Sequence, residues 1–137
     1  MLRTATSRQA WRRWDPLGPK FSLDESSTQL LKTLKARTGL THQYLCRLAF
    51  CLSLADASAL DPGVYGTGGI EFNRYTLTGE WDRVFVAYLR EWLQAEPRAD
   101  EFGEHEWFQA HVNRGLGVLA RRLRTLADIS GLVARAA

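Results

Sequence analysis

The sequence predicts an all-α fold: one compact helical domain of about four to five helices with at most a short extended segment. Three observations predict it. Apolar residues recur at helical spacing in four separate stretches. Helix-starting and helix-ending residues punctuate those stretches at Ser22, Gly39, Thr41, Gly79 and Pro97. At 137 residues, 45% hydrophobic and 24% charged, the chain has the length and balance for one packed core and not for two.

Residues 1–20 have no sustained periodicity, contain Pro16, Gly18 and Pro19, and read as a basic N-terminal arm that need not pack. Its cluster Trp11, Arg12, Arg13, Trp14 could track phosphates and stack on bases, or dock its tryptophans on the core. Ser22 stands three residues before Glu25, the spacing of a capping box, so the first helix begins near Leu23. Leu23, Leu30, Leu31 and Leu34 form its apolar stripe. Lys32, Lys35 and Arg37 crowd its last turns, where the helix dipole favours cations, and Gly39 suits the left-handed residue that stops a helix at Thr38.

Thr41 is the expected N-cap of a second helix from His42 to about Ala57. Between Tyr44 and Ala55 only Arg47 and Ser53 are polar, so this helix has almost no solvent face and must be covered by the domain or by another copy. Tyr44, Leu45, Leu48, Phe50 and Leu52 are therefore the expected oligomer interface. A loop follows from Asp61 to Gly69. Ile70 to Thr78 then reads as extended, a short strand or a loop, because Ile70 and Phe72 alternate with Glu71 and Asn73. Gly79 and Glu80 introduce a third helix whose Trp81, Val84, Phe85, Tyr88, Leu89 and Trp92 are expected in the core, and Pro97 ends it. A last helical region runs from about Asp100 through Leu126, with Trp107, Phe108, His111, Val112, Leu116, Leu119, Leu123 and Leu126 inside. Gly115 and Gly117 would allow close helix approach or a bend. The expected domain is thus 21–130, with residues 131–137 as a tail.

No apolar run approaches the roughly 18 residues of a membrane span, and no secretory signal core opens the chain, so the expected location is cytoplasmic. Cys46 and Cys51, five apart in one helical run, point to different faces and read as small hydrophobes in a reducing compartment. Net charge is only +3 but unevenly spread. Residues 1–20 and 112–137 each hold five cations against one acid, whereas 56–111 hold eleven acids against four arginines. A polyanion could meet the basic segments and a different partner the acidic one.

Three segments resemble the DndE family of DNA sulfur-modification proteins: LKARTGLTHQYLCRLAFCLSLAD over 34–56, EFNRYTLTGE over 71–80, and HVNRGLGVLA over 111–120. The resemblance implies a compact helical subunit without enzymatic activity of its own. Such a subunit self-assembles, with a tetramer expected, and binds double-stranded DNA with a preference for nicks. It works beside DndC and DndD, whose business is the sulfur chemistry. In such proteins DNA binding is attributed to a basic surface, which here is built mostly of arginine.

Lys32, Lys35, Arg37, Arg47, Arg74, Arg114, Arg121, Arg122 and Arg124 are the candidate DNA contacts. A sequence-independent grip on phosphates suits a chain with no obvious base-reading helix. Arg47, inside an apolar helix, needs a partner, either a carboxylate such as Glu71 or Glu80 or a phosphate, and Arg74 faces the same choice. No cofactor, metal site or catalytic residue is expected. His42 and Cys46 share a helix face but two ligands do not make a zinc site. His105, Glu106, His111 and Asn113 would be needed for a nuclease cluster, yet His111 and Asn113 fall on different faces. A metal-dependent nickase and a protein scaffold remain the alternatives to a DNA-binding subunit.

Overall fold

A computed structural model describes residues 17–136, with side chains through residue 132. The Trp11 to Trp14 cluster lies outside the described residues. Among them the chain forms strand β1 (Lys20–Ser22), helices α1 (Glu25–Thr38) and α2 (His42–Ala55), strand β2 (Glu71–Asn73), and helices α3 (Arg74–Thr78), α4 (Asp82–Gln94), α5 (Glu104–Arg122) and α6 (Ile129–Ala136). The fold is mostly helical, as its sequence predicts. The extended segment is real but shorter than expected: β2 pairs antiparallel with β1, Phe21 opposite Phe72, and Asn73 then caps α3 by accepting from the amides of Tyr75 and Thr76.

The first helix starts two residues later than its sequence suggests. Ser22 is in the strand, and Asp24 is the N-cap, accepting from the Ser26 amide. A bond from the Gly66 amide, with those from the Ser26 hydroxyl and amide, holds the Asp24 carboxyl below its ordinary pKa. Gly39, at φ 75°, ends the helix after Thr38 as expected. The second helix stops at Ala55, short of Ala57. Leu17 is 1% exposed, and Pro19 and Gly18 accept hydrogen bonds from Arg74, so residues expected in a loose arm are packed here. Residues 131–136, expected as tail, continue α6.

The core sits between α2 and α5. Phe50 stacks on Phe108 with ring centroids 4.8 Å apart, and Phe21 and Phe85 add edge contacts on either side. Gly115 makes the approach possible: a Cβ built there would lie 1.7 Å from the Ala49 carbonyl oxygen. A Cβ at Gly117 would meet only the Arg121 side chain, at an ordinary 3.8 Å, so only one of the two glycines permits close packing. Gln109 and Asn113 tie α5 to the start of α1 by accepting from the amides of Ser22 and Asp24. Cys46 is buried, and burial pushes its thiol up to about 12; Cys51 lies on the exposed side of α2. No described helix is long and apolar enough to cross a membrane.

Candidate nucleic-acid interface

The sequence brings its candidate cations to the structure in three different conditions. Lys32, Lys35 and Arg37 are exposed along the last turns of α1, because Leu31, Leu34 and Thr38 take the inward positions of the same helix. Among the described residues no carboxylate pairs with any of the three. His42, at the start of α2, lies close by: burial lowers its pKa, and the charges of Lys35 and Lys32 lower it further. The imidazole is thereby kept neutral within a positive field.

Arg47, Arg74 and Arg114 are each engaged by other groups of the chain. Arg47 donates from Nε to the Leu77 carbonyl and lies over the Tyr44 ring, so its partner is a backbone oxygen and neither Glu71 nor Glu80. Arg74 is 2% exposed. Its Nε and Nη2 grip Asp82 at 2.8 and 2.5 Å, and Thr78 donates to the same carboxylate. Burial works to raise the Asp82 pKa, but the bonds from Arg74 and Thr78 hold it below the ordinary value.

Arg114 reaches from α5 to the end of α2. It donates to Ser53 Oγ at 2.8 Å, to the Ser53 carbonyl at 2.7 Å and to the Ser58 carbonyl at 2.7 Å. A guanidinium so placed satisfies carbonyls that a helix C-terminus leaves open and complements its dipole. Ser53 Oγ also lies 2.8 Å from His111 Nδ1. Among the described residues Nε2 has no hydrogen-bond partner, and the Trp92 ring stands perpendicular to the imidazole at 4.3 Å. Burial and then the Arg114 charge depress His111 to about 3, so it is a neutral core residue.

Arg121, Arg122 and Arg124 are exposed at and beyond the end of α5. Arg121 lies near enough to Asp56, the C-cap of α2, to help lower its carboxyl, whose main depression comes from Ser58. The two basic groups therefore border opposite ends of α2, whose 14 residues span about 20 Å. They do not form one continuous patch around a shared point.

The expected oligomer interface is only partly available. Leu45 and Phe50 are wholly buried inside one copy, because α5 covers that face of α2; Tyr44 is exposed, and Leu48 and Leu52 are half-buried. The aromatic helix departs from expectation in the other direction. Phe85 and Leu89 are core, but Trp81, Val84 and Tyr88 are exposed, as is Leu126. A helical wheel contains this signal: 81, 84 and 88 occupy one flank, whereas 85, 89 and 92 occupy the next. Tyr75, on α3, is a further exposed aromatic that sequence reading passed over.

The residues considered for a nuclease cluster serve separate ends. His105 contacts the Leu17 carbonyl through Nδ1, His111 bonds Ser53, and Asn113 bonds Asp24. Among the described residues no three His, Cys, Asp or Glu side chains gather where they could hold a metal ion.

Comparison with known proteins gives one family. Residues 20–126 match the family model described as DNA sulphur modification protein DndE. The fold is similar to the crystal structure of DndE from Escherichia coli B7A involved in DNA phosphorothioation modification. That match has a TM-score of 0.62 and 24% identity over 75% of this chain and 97% of the other. A mutant DndE involved in DNA phosphorothioation is similar at a TM-score of 0.60 and 22% identity, covering 75% of this chain and 98% of that one. No curated protein matches the chain.

Proposed function

Because the chain belongs to the DndE family of DNA sulphur modification proteins, we propose that it is a duplex-binding accessory subunit of the phosphorothioation machinery, holding intact or nicked DNA for sulfur-inserting partners of the DndC and DndD kind. It brings no catalytic residue of its own to that task. The observation that carries the reading is the α1 patch. Lys32, Lys35 and Arg37 are exposed together, unengaged by carboxylates among the described residues, beside a histidine their charge helps keep neutral. A phosphate backbone is the partner such a patch fits, and it needs no base-reading element. Arg124 is a further phosphate contact in this reading. Arg121 and Arg122 stand in different surroundings.

Gel shifts over a salt series on intact and nicked duplexes test it. The wild-type chain is expected to bind at low salt, more tightly when the duplex is nicked. Lys32→Glu with Lys35→Glu should weaken binding and lower the log–log salt slope by about 0.9 for each phosphate contact removed. A chain that binds neither duplex at low salt would leave the scaffold reading, which the exposed aromatics Tyr44, Tyr75, Trp81 and Tyr88 favour. Conversion of supercoiled plasmid to nicked circles in Mg²⁺ or Mn²⁺ would overturn the accessory role in favour of a nickase.

A further inference from the structure

Beside the Arg74–Asp82 pair, α4 borders a cavity of about 580 Å³ lined by Arg74, Asp82, Arg83, Val86, Ala87 and Arg90. Positions 83, 86, 87 and 90 have the spacing that puts side chains on one helix face. Arg83 and Arg90 therefore stand two turns apart, roughly 10 Å along the axis, with Val86 and Ala87 between them as an apolar floor. The exposed flank of Trp81, Val84 and Tyr88 is the neighbouring one and takes no part in the lining.

The charges of this cavity do not cancel. Asp82, the acid of the lining, is already held by two guanidinium nitrogens of Arg74 and by the Thr78 hydroxyl. Arg83 is exposed, and among the described residues it has no ion pair. Arg90 donates to Glu104 from Nε at 3.1 Å, and among the described residues its two terminal nitrogens donate to no group. The cavity thus has an open cation at one end, an apolar floor, and at the other end a guanidinium oriented by Glu104.

We propose that this cavity binds a small phosphate monoester carried on a ring, a free mononucleotide by chemical class. Arg83 takes the phosphate, whose oxygens match the planar fork of a guanidinium. The ring lies over Val86 and Ala87, and the terminal nitrogens of Arg90 stack on its face or donate to its acceptors. The volume is that of a small-molecule pocket, far more than a bare phosphate fills, and its few polar groups sit at the ends of an apolar floor. A nucleic-acid strand running along the cavity is the poorer occupant, since a phosphate beyond the ring would meet Glu104 beside Arg90. None of Lys32, Lys35 and Arg37 lines the cavity, so the assignment stands apart from duplex binding.

Isothermal titration calorimetry on the full chain with adenosine 5′-monophosphate, adenosine and inorganic phosphate tests the site. The wild type is expected to bind the monophosphate best, inorganic phosphate more weakly, and adenosine about tenfold more weakly or less still, for want of one charge-assisted contact. Arg83→Glu should bring the monophosphate down to the affinity of adenosine. Ala87→Glu keeps both arginines, puts a carboxylate on the floor, and should abolish binding. Both positions are exposed, so circular dichroism should be unchanged; Arg83→Gln replaces the first variant where it is not. Lys32→Glu with Lys35→Glu should keep the wild-type affinity for the monophosphate, whatever it does to duplex binding. A wild type that does not bind the monophosphate overturns the proposal, as does an Arg83→Glu chain that binds it normally, or adenosine that binds equally well. Sensitivity to Arg83→Glu confined to a duplex nicked with a 5′-phosphate would assign the cavity to strand ends and overturn the free-ligand assignment.

Discussion

Gly115 rests against Ala49 so closely that any side chain at 115 would meet the Ala49 carbonyl at 1.7 Å. The obstacle is backbone of the facing helix, which has no rotamer to move aside. Gly115→Ala should therefore destabilise the fold by at least the 1–3 kcal/mol typical of overpacking, roughly speaking. Gly117→Ala, whose Cβ would meet only the Arg121 side chain at an ordinary 3.8 Å, should be neutral or gain up to about 1 kcal/mol from helix propensity. Urea midpoints of the two variants measure the contrast, and equal effects would contradict the packing described.

Arg114 acts on the end of α2, so its loss is expected to appear in stability and not in DNA affinity. Arg114→Lys keeps the charge but loses the fork that reaches Ser53 and Ser58 together. A cost of about 2 kcal/mol is expected, from acceptors left open at a partly buried helix end. The salt slope of duplex binding should stay at the wild-type value. A lowered slope with unchanged stability would return Arg114 to the phosphate contacts.

The Arg74–Asp82 pair makes a similar separation. Asp82→Ala removes the carboxylate that answers two guanidinium nitrogens of a residue only 2% exposed, and a loss of about 3–5 kcal/mol is expected. The folded pKa of Asp82 lies below its unfolded value. Its contribution is therefore present above about pH 4 and is lost as pH falls through the lower folded value. Denaturation at pH 7 and at pH 3 should show the variant's deficit shrinking at the acid end.

His111 produces a second acid limb at higher pH. Folding keeps it neutral down to about 3, whereas in the unfolded chain it takes a proton near 6.5. Stability from this group is full above about pH 6.5 and falls steadily below it, by on the order of 4 kcal/mol across the window. His111→Phe should flatten the slope between pH 6.5 and 4 while costing about 1 kcal/mol at pH 7 for the Ser53 bond. An unchanged slope would mean that His111 gains a partner for its proton on acidification.

Where one residue's own chemistry decides its place, the sequence carried the answer. Gly39 ends α1 because only glycine adopts φ 75° without strain, and Leu31 and Leu34 face inward because their spacing admits one face only. The candidate site was legible to the same extent: the α1 cations are exposed because those leucines are not. What the sequence does not show depends on partners distant along it. Nothing around Arg74 reveals that Asp82 and Gly18 will enclose it, and nothing around Arg114 announces Ser53 of α2 and Ser58 just beyond it. Trp81 and Tyr88 fall at helical spacing, but periodicity marks a stripe as apolar without saying whether another element covers it.

The three residues before strand β1 have a bearing on where this domain can be cut. Leu17 fills a core position, its carbonyl contacts His105, and the carbonyls of Gly18 and Pro19 receive Arg74. The family match starts only at residue 20. Trimming to that boundary would strip three acceptors from the interior together with a leucine, opening a water path to the guanidinium beneath. The smallest self-sufficient folding unit in this chain therefore begins no later than Leu17, and deletion series or fusion partners should respect that edge.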